Sequence, residues 1–397
     1  MSFSNHNVEN FSHSIENLES EHKLSDLKMA DIDLGKFLNL NFNSGGRFIL
    51  LPFFIFILCV QLSAGKVVIA CTTDIHASKN WFKLATLIKK ERAKAGKENF
   101  LLIDCGDTIQ GSYAGMYTRG LISMDMLNAL KYDIWVPGNH DFDYGVPRFL
   151  ELAAMFKGMV LGGNLLLKKP PASWRLFNRG GLKIAVIGLG CVSAGSYEPA
   201  SMRELKLRST GEYLQGVMRQ VTRKKPDFIV LAMHNGNFSK TLDLYRLLRR
   251  FPEINLIFGG HNHRREPGIS TGYGWFMQSG SHAKVLGVAE LTRKPNPRAI
   301  SIRSRLIQVE PDTPVDKALA SDIEPLLKKA DMSASETVGT NVSTLKVSRY
   351  RKSPSGVSEL LCRAVAEAAG TEYAFHDVPV KHAELAPGRV TRSEVYN

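Results

Sequence analysis

The stretch INLIFGGHNHR, residues 254–264, decides how this sequence is read. The run Ile254 to Phe258 has the composition of a short buried strand; Gly259 and Gly260 follow, and then two histidines stand one residue apart. Side chains alternate in extended backbone, so His261 and His263 point the same way and can share a ligand. Glycines ahead of them permit a sharp turn and close approach. A strand ending in paired nitrogen donors prompts a search for other strand ends of the same kind.

Working outward, short apolar runs alternate with segments of helical period from Lys66 onward. KVVIACTT precedes NWFKLATLIKKERAKAG, NFLLIDCGD precedes SMDMLNALKY, and DIWVPGNHD follows. The rhythm continues through GLKIAVIGLG, GEYLQGVMRQVTRKK, PDFIVLAMHNG and TLDLYRLLRRF. Such alternation predicts an α/β domain. GWFMQSG and KVLGVAELTRK have no helix between them, which predicts antiparallel additions at the end of the domain.

In open α/β sheets, ligands gather beyond the carboxyl ends of the strands. Those ends carry Asp74-Ile75-His76, Gly106-Asp107, Gly138-Asn139-His140-Asp141, His234-Asn235 and His261-Asn262-His263. Eight of the eleven histidines lie after residue 65, and five of those eight fall in these loops. Aspartate and histidine together supply the oxygen and nitrogen donors suited to zinc, manganese or iron rather than calcium. The donors Asp74, His76, Asp107, Asn139, His234, His261 and His263 exceed what one tetrahedral ion needs, and fit a pair of ions if one donor bridges. His282 lies outside this pattern and reads as structural, and His376 and His382 as surface residues.

The motifs DxH, GDxxQG, GNHD, a strand-end histidine and GHxH, in this order, resemble the calcineurin-like metallophosphoesterases. The longer forms CTTDIHA, IDCGDTIQGS, VPGNHDFDYG and GGHNHR are most similar to the branch of 5'-nucleotidases and 2',3'-cyclic-nucleotide phosphodiesterases. The resemblance covers residues 66–310 well and 311–397 weakly. It implies a four-layer α/β/β/α sandwich, then a connector helix and an incomplete α+β C-terminal domain. It also implies two divalent ions (zinc, manganese, iron or cobalt): Asp74, His76 and His263 on one, Asn139, His234 and His261 on the other, and Asp107 bridging both. His140 would be the catalytic histidine, oriented by Asp141 as a dyad. The implied reaction is hydrolysis of a nucleotide or other small phosphate ester by a metal-bridging hydroxide. A phosphodiesterase or sugar-nucleotide hydrolase on the same site is the alternative, as is a non-catalytic truncated remnant.

Composition bounds these readings. The chain has 397 residues, 44% hydrophobic and 22% charged, which is ordinary for globular domains. Its five cysteines lack metal-finger spacing and read as small buried apolar residues. Residues 48–60, FILLPFFIFILCV, follow Arg47 and precede Ser63-Ala64-Gly65. Their length falls within the roughly 7–15 residues of a secretory signal core and short of the roughly 20 of a membrane span. Residues 1–65 are thus expected to be a signal peptide or an uncleaved anchor that tethers the chain to a membrane, with the rest exported to the periplasm, cell surface or medium. The leader's four basic and seven acidic residues carry −3 of the formal +13, so the remainder carries +16, a field that steers anionic substrates. Basic residues are scattered without interleaved aromatics, and no nucleic-acid partner is expected.

Beyond residue 311, Thr313 is expected to cap a helix over VDKALASDIEPLLKKA, bent or restarted at Pro325. SGVSELLCRAVAEAAG predicts a helix ended by Gly370, and Tyr373 to Phe375 a strand. The resemblance calls for a glycine-rich, arginine-ended phosphate loop here, followed by two base-clamping aromatics. This sequence has Lys381-His382 without a glycine cluster, and it ends at RSEVYN before such a pair.

Overall fold

A computed structural model of the chain describes residues 65–191, 205–236, 243–293, 300–341 and 388–392, with Arg363 and Glu367 as isolated positions. The elements in chain order are β1 (Lys66–Thr72), α1 (Trp81–Ala95), β2 (Phe100–Asp104), α2 (Tyr113–Tyr117), α3 (Leu121–Ala129), β3 (Ile134–Trp135), α4 (Val146–Met155), β4 (Met159–Val160), β5 (Leu165–Leu166), β6 (Trp174–Arg179) and β7 (Leu182–Leu189). There follow β8 (Lys206–Leu207), α5 (Thr210–Thr222), β9 (Phe228–Met233), α6 (Leu244–Arg250), β10 (Leu256–Gly259), β11 (Arg265–Ser270), β12 (Trp275–Ser279), β13 (Val285–Arg293) and β14 (Ile300–Gln308). The last are α7 (Lys317–Ala334), β15 (Thr337–Asn341) and β16 (Gly388–Thr391).

Two six-stranded sheets form the centre, in the orders β14-β13-β1-β2-β3-β4 and β11-β12-β10-β9-β7-β6. In β1, Val67, Ile69 and Cys71 pack between the sheets against Ile184 and Val186 of β7, while Val68 and Ala70 face Trp81, Leu84 and Ile88 of α1. On the far side, Ala185, Ile187 and Leu189 of β7 meet Tyr213, Leu214 and Val217 of α5. Strands buried on both faces read as unbroken apolar runs, which is why KVVIAC and FIVLAM lack a polar alternation. The expected four layers, helix, sheet, sheet and helix, are present. Each fully buried Leu, Ile or Phe contributes about 1.5–3 kcal/mol, so the site rests on a rigid base.

The runs β1-β2-β3 and β7-β9-β10 are parallel. Their carboxyl ends bring the five donor loops together. One expectation fails at the end of the domain. β12 joins β10 in parallel, not antiparallel, while β13 is the antiparallel addition, paired with β1. Beyond the last apolar run read as a strand, the structure adds the nine-residue strand β14, paired along its length with β13.

The connector helix also starts later than expected. Asp316 caps α7, its carboxylate accepting from Leu319 N at 3.1 Å, and Thr313 Oγ1 accepts from Glu310 N instead. Pro325 lies inside α7, which runs from Lys317 to Ala334. The apolar run 48–60, the strand expected at 373–375, His376 and His382 lie outside the described residues, as does the helix ending at Gly370 apart from Arg363 and Glu367, both helical. Among the described residues no helix is long and apolar enough to cross a membrane. Cys71, Cys105 and Cys191 are buried and form no disulfide.

Candidate metal centre

The site grows from backbone geometry. Asp74, His76, Asp107, His261 and His263 all have positive φ, between 51° and 75°. Non-glycine residues rarely adopt this left-handed region, and each costs on the order of 1–3 kcal/mol unless its surroundings enforce it. Loop-to-loop hydrogen bonds do so: Asp74 N donates to Gly106 O at 2.8 Å, His76 N to Asp107 O at 3.0 Å, and His261 N to both Asp74 carboxylate oxygens at 3.0 and 3.1 Å. Gly138 is required by packing, since a Cβ there would lie 2.2 Å from Asp107 Oδ1.

These loops assemble two donor sets. Asp74, His76 and His263 form one and Asp107, His234 and His261 the other, with the ligand atoms of each set within 4.8 Å of one another. In the first, His76 Nε2 is 3.1 Å from His263 Nε2, which is 3.3 Å from Asp74 Oδ1. In the second, His234 Nε2 is 3.1 Å from Asp107 Oδ2, and Asn139 Oδ1 is 3.0 Å from His261 Nδ1. Asp107 lies in the second set, and its charge also acts on His76.

The donors fit divalent ions chemically. His234 Nδ1 donates to Cys105 O at 2.6 Å, so in the neutral ring the buried Nε2 is a bare lone pair aimed at a carboxylate, and it has no hydrogen-bond partner. A divalent cation between the two groups would satisfy both. Burial opposes charge on His234, but Asp107 outweighs it and raises the pKa to about 10. Burial also opposes charge on Asp107, yet His234 holds its carboxyl below the usual range. Burial lowers the pKa of His76 to about 4, against the pull of Asp107 and Asp74, and burial with His234 lowers that of His261. Both shifts favour the neutral ring, the form that binds a metal.

His140 stands beside the sets, its ring centroid 5.8 Å from that of His76. Its expected partner Asp141 is not there. Asp143 holds His140 Nδ1 at 3.1 and 3.2 Å, because in the tight turn His140–Phe142 residues three apart share a face, whereas adjacent residues do not. Asp141 is buried beneath and accepts backbone N–H groups from Asp107, Thr108, Ile109 and Gly138 at 2.8–3.2 Å, so it ties two donor loops together. Burial and the nearby Asp107 charge raise its pKa to about 6. Burial opposes charge on His140, but the hydrogen bond to Asp143 and the fields of Asp107 and Asp143 raise its pKa.

Three more side chains reach the site. Gln110 Oε1 pairs with His76 Nδ1 at 3.2 Å, fixing the ring so that Nε2 faces inward. Asp143 is the second, and the i,i+3 spacing of HDFD was its signal in the sequence. The third is His282, whose ring centroid is 5.2 Å from that of His76 and 5.5 Å from that of His263. It follows β12, and because β12 runs parallel to β10 its end falls at the same edge. An antiparallel reading of β12 hid this. Below the site, burial raises the pKa of Asp104 to about 7 against hydrogen bonds from Thr108 and Thr72.

A family model described as calcineurin-like phosphoesterase matches residues 67–265. A snake venom 5'-nucleotidase from Naja atra is 23% identical over 313 residues, covering 70% of this chain and 57% of that protein. A 2',3'-cyclic-nucleotide 2'-phosphodiesterase/3'-nucleotidase from Haemophilus influenzae is 24% identical over 240 residues, 50% of this chain and 36% of that one. Among solved structures, a 5'-nucleotidase precursor from Thermus thermophilus superposes with a TM-score of 0.63 at 18% identity, covering 83% of this chain and 73% of that chain. The chain thus spans little more than half the length of the first of these relatives, and less of the second.

Proposed function

Because the chain belongs to the calcineurin-like phosphoesterase family, we propose that it is a dimetal hydrolase of nucleotides or other small phosphate esters, 5'-nucleotidase-like, with residues 66–310 as its hydrolytic unit. The observation that carries this reading is the pair of three-residue donor sets at adjoining strand ends. Asp74, His76 and His263 would hold one ion, Asn139, His234 and His261 the other, with Asp107 shared between them. Bound ions of this kind supply a nucleophilic water at neutral pH and neutralise phosphoryl charge. Asp143 engages His140 Nδ1, which leaves the Nε2 proton to be donated to a phosphoryl oxygen or to the departing alkoxide. Asp141 holds the loops rather than the proton.

The Haemophilus relative's name favours a second reading, a phosphodiesterase on the same site. One experiment addresses both. Protein reconstituted with zinc, manganese or cobalt is assayed for bound metal and for hydrolysis of an aryl phosphate, nucleoside monophosphates, cyclic nucleotides and sugar nucleotides. Two ions per chain with turnover of nucleoside monophosphates supports the proposal, and a preference for cyclic nucleotides supports the second reading. Fewer than two ions with every metal, or no turnover of any ester, refutes both. The apolar run 48–60 supports export as part of the proposal, with the leader as signal peptide or tether.

The two carboxylates after His140 separate in a paired test. Asp143→Asn is expected to lower kcat about tenfold with metal retained, the cost of losing a partner that orients a histidine. Asp141→Asn is expected to destabilise the fold by about 1–3 kcal/mol, since an amide cannot accept the same set of N–H groups. Thermal melting and steady-state kinetics read both, and the reverse pattern would return the dyad to Asp141.

A further inference from the structure

Next to the donor sets lies a cavity of about 360 Å³ whose inner end is lined by His76 and His282. Its floor is apolar: Trp81, Ile122 and Met126 are each 2–6% exposed. Tyr113 and Phe82 form walls, and Leu327 and Ala334 of α7 close the outer side. The lid is fastened, because Tyr113 Oη and Ser333 Oγ are hydrogen-bonded at 2.9 Å across the gap from α2 to α7. Lys79 and Asp331, both well exposed and 3.9 Å apart, mark the mouth.

The serines that line this space have other engagements. Ser112 Oγ accepts from Gly115 N at 3.1 Å, Ser123 Oγ donates to Thr108 O at 3.1 Å, and Ser78 Oγ accepts from Asn80 N at 3.3 Å. What the walls offer a guest is therefore apolar and aromatic surface, with few hydrogen bonds. The volume falls within the range of about 300–1,000 Å³ typical of small-molecule sites. A sugar or polyol placed here would lose hydrogen bonds to water without replacing them, whereas a flat apolar ring would not.

We propose that this cavity is a leaving-group pocket, which receives the ring-bearing apolar portion of a phosphate ester while its phosphoryl group lies at the His76 side. The proposal rests on the phosphoesterase reading for its substrate, but the pocket can be tested without turnover. It assigns selectivity to a slot between the first domain and α7, built by α1, α2, α3 and α7. Esters of compact, polar alcohols would leave it unfilled.

The test is calorimetric binding of 1-naphthylmethylphosphonate and ethylphosphonate, which share the phosphonate and differ in the ring. Binding is measured for the native chain and for Leu327→Trp and Ala334→Phe, which fill the cavity from the α7 side and touch no proposed metal ligand. The native chain is expected to prefer the naphthyl compound by about tenfold or more, as burying most of a fused ring implies. Either variant that melts like the native chain is expected to lose that preference while ethylphosphonate binding stays unchanged. Equal binding of the two compounds by the native chain, or an unaltered preference in both filled variants, would overturn the proposal. If no phosphate ester is hydrolysed under any metal, the phosphoesterase reading fails, and the ring preference still reports on the pocket by itself.

Discussion

Asp107→Ala is expected to reduce bound metal from two ions per chain to one or none and to lower kcat by about 10³-fold or more. One oxygen of this carboxylate faces His234 Nε2, while the other accepts the His140 backbone N–H at 2.8 Å, so on the proposed reading the same side chain would hold an ion and the loop that carries His140. Removing it leaves His234 buried, 2% exposed, with nothing opposite its inward nitrogen. Lewis-acid neutralisation of a phosphoryl group is worth several kcal/mol, which sets the scale of the loss. Metal analysis after dialysis, combined with steady-state kinetics, checks it. Two ions retained with kcat within about threefold of the native value, a margin of under 1 kcal/mol, would remove Asp107 from the centre.

His140→Ala is expected to retain both ions and still lose about 10²–10³-fold in kcat. Its ring belongs to neither donor set, and although burial opposes charge on it, the hydrogen bond between its Nδ1 and Asp143, with the fields of Asp107 and Asp143, outweighs that and favours the protonated form. Positioned acids and oxyanion donors contribute on this scale. The loss should be smaller for esters with acidic leaving groups such as nitrophenol, which need no proton on departure. A uniform loss across leaving groups would instead assign His140 to charge stabilisation, and no loss would exclude it.

Much of this was legible in the sequence, for a definable reason. Metal donors at strand ends announce themselves because apolar runs mark the strands and glycines mark the turns, so His261, His263, Asp107 and His234 could be placed together from their motifs. The four-layer order was implied by the family resemblance those motifs carry, and the strands buried on both faces agree with it. What stayed hidden depended on three-dimensional direction. Asp143 replaced Asp141 because a tight helical turn, not an extended segment, follows Asn139. His282 joined the site because β12 runs parallel to β10, and hairpin-like spacing cannot reveal strand direction. β14 escaped because Ser304 breaks the apolar face of Ile302 and Leu306 while Arg303 and Arg305 charge the other face, and only the structure shows Arg305 paired with Glu290 of the neighbouring strand at 2.7 Å.

The five donors with left-handed backbone carry a consequence for how the sequence can drift. Glycine would relieve the torsional penalty at His76, His261 and His263, but at the buried Asp74 and Asp107 it would also strip the carboxylates that accept the backbone N–H groups of His261 and His140. Substitution is therefore least costly at the exposed His263 and most costly at the two carboxylates, whose loss would loosen the loops they join.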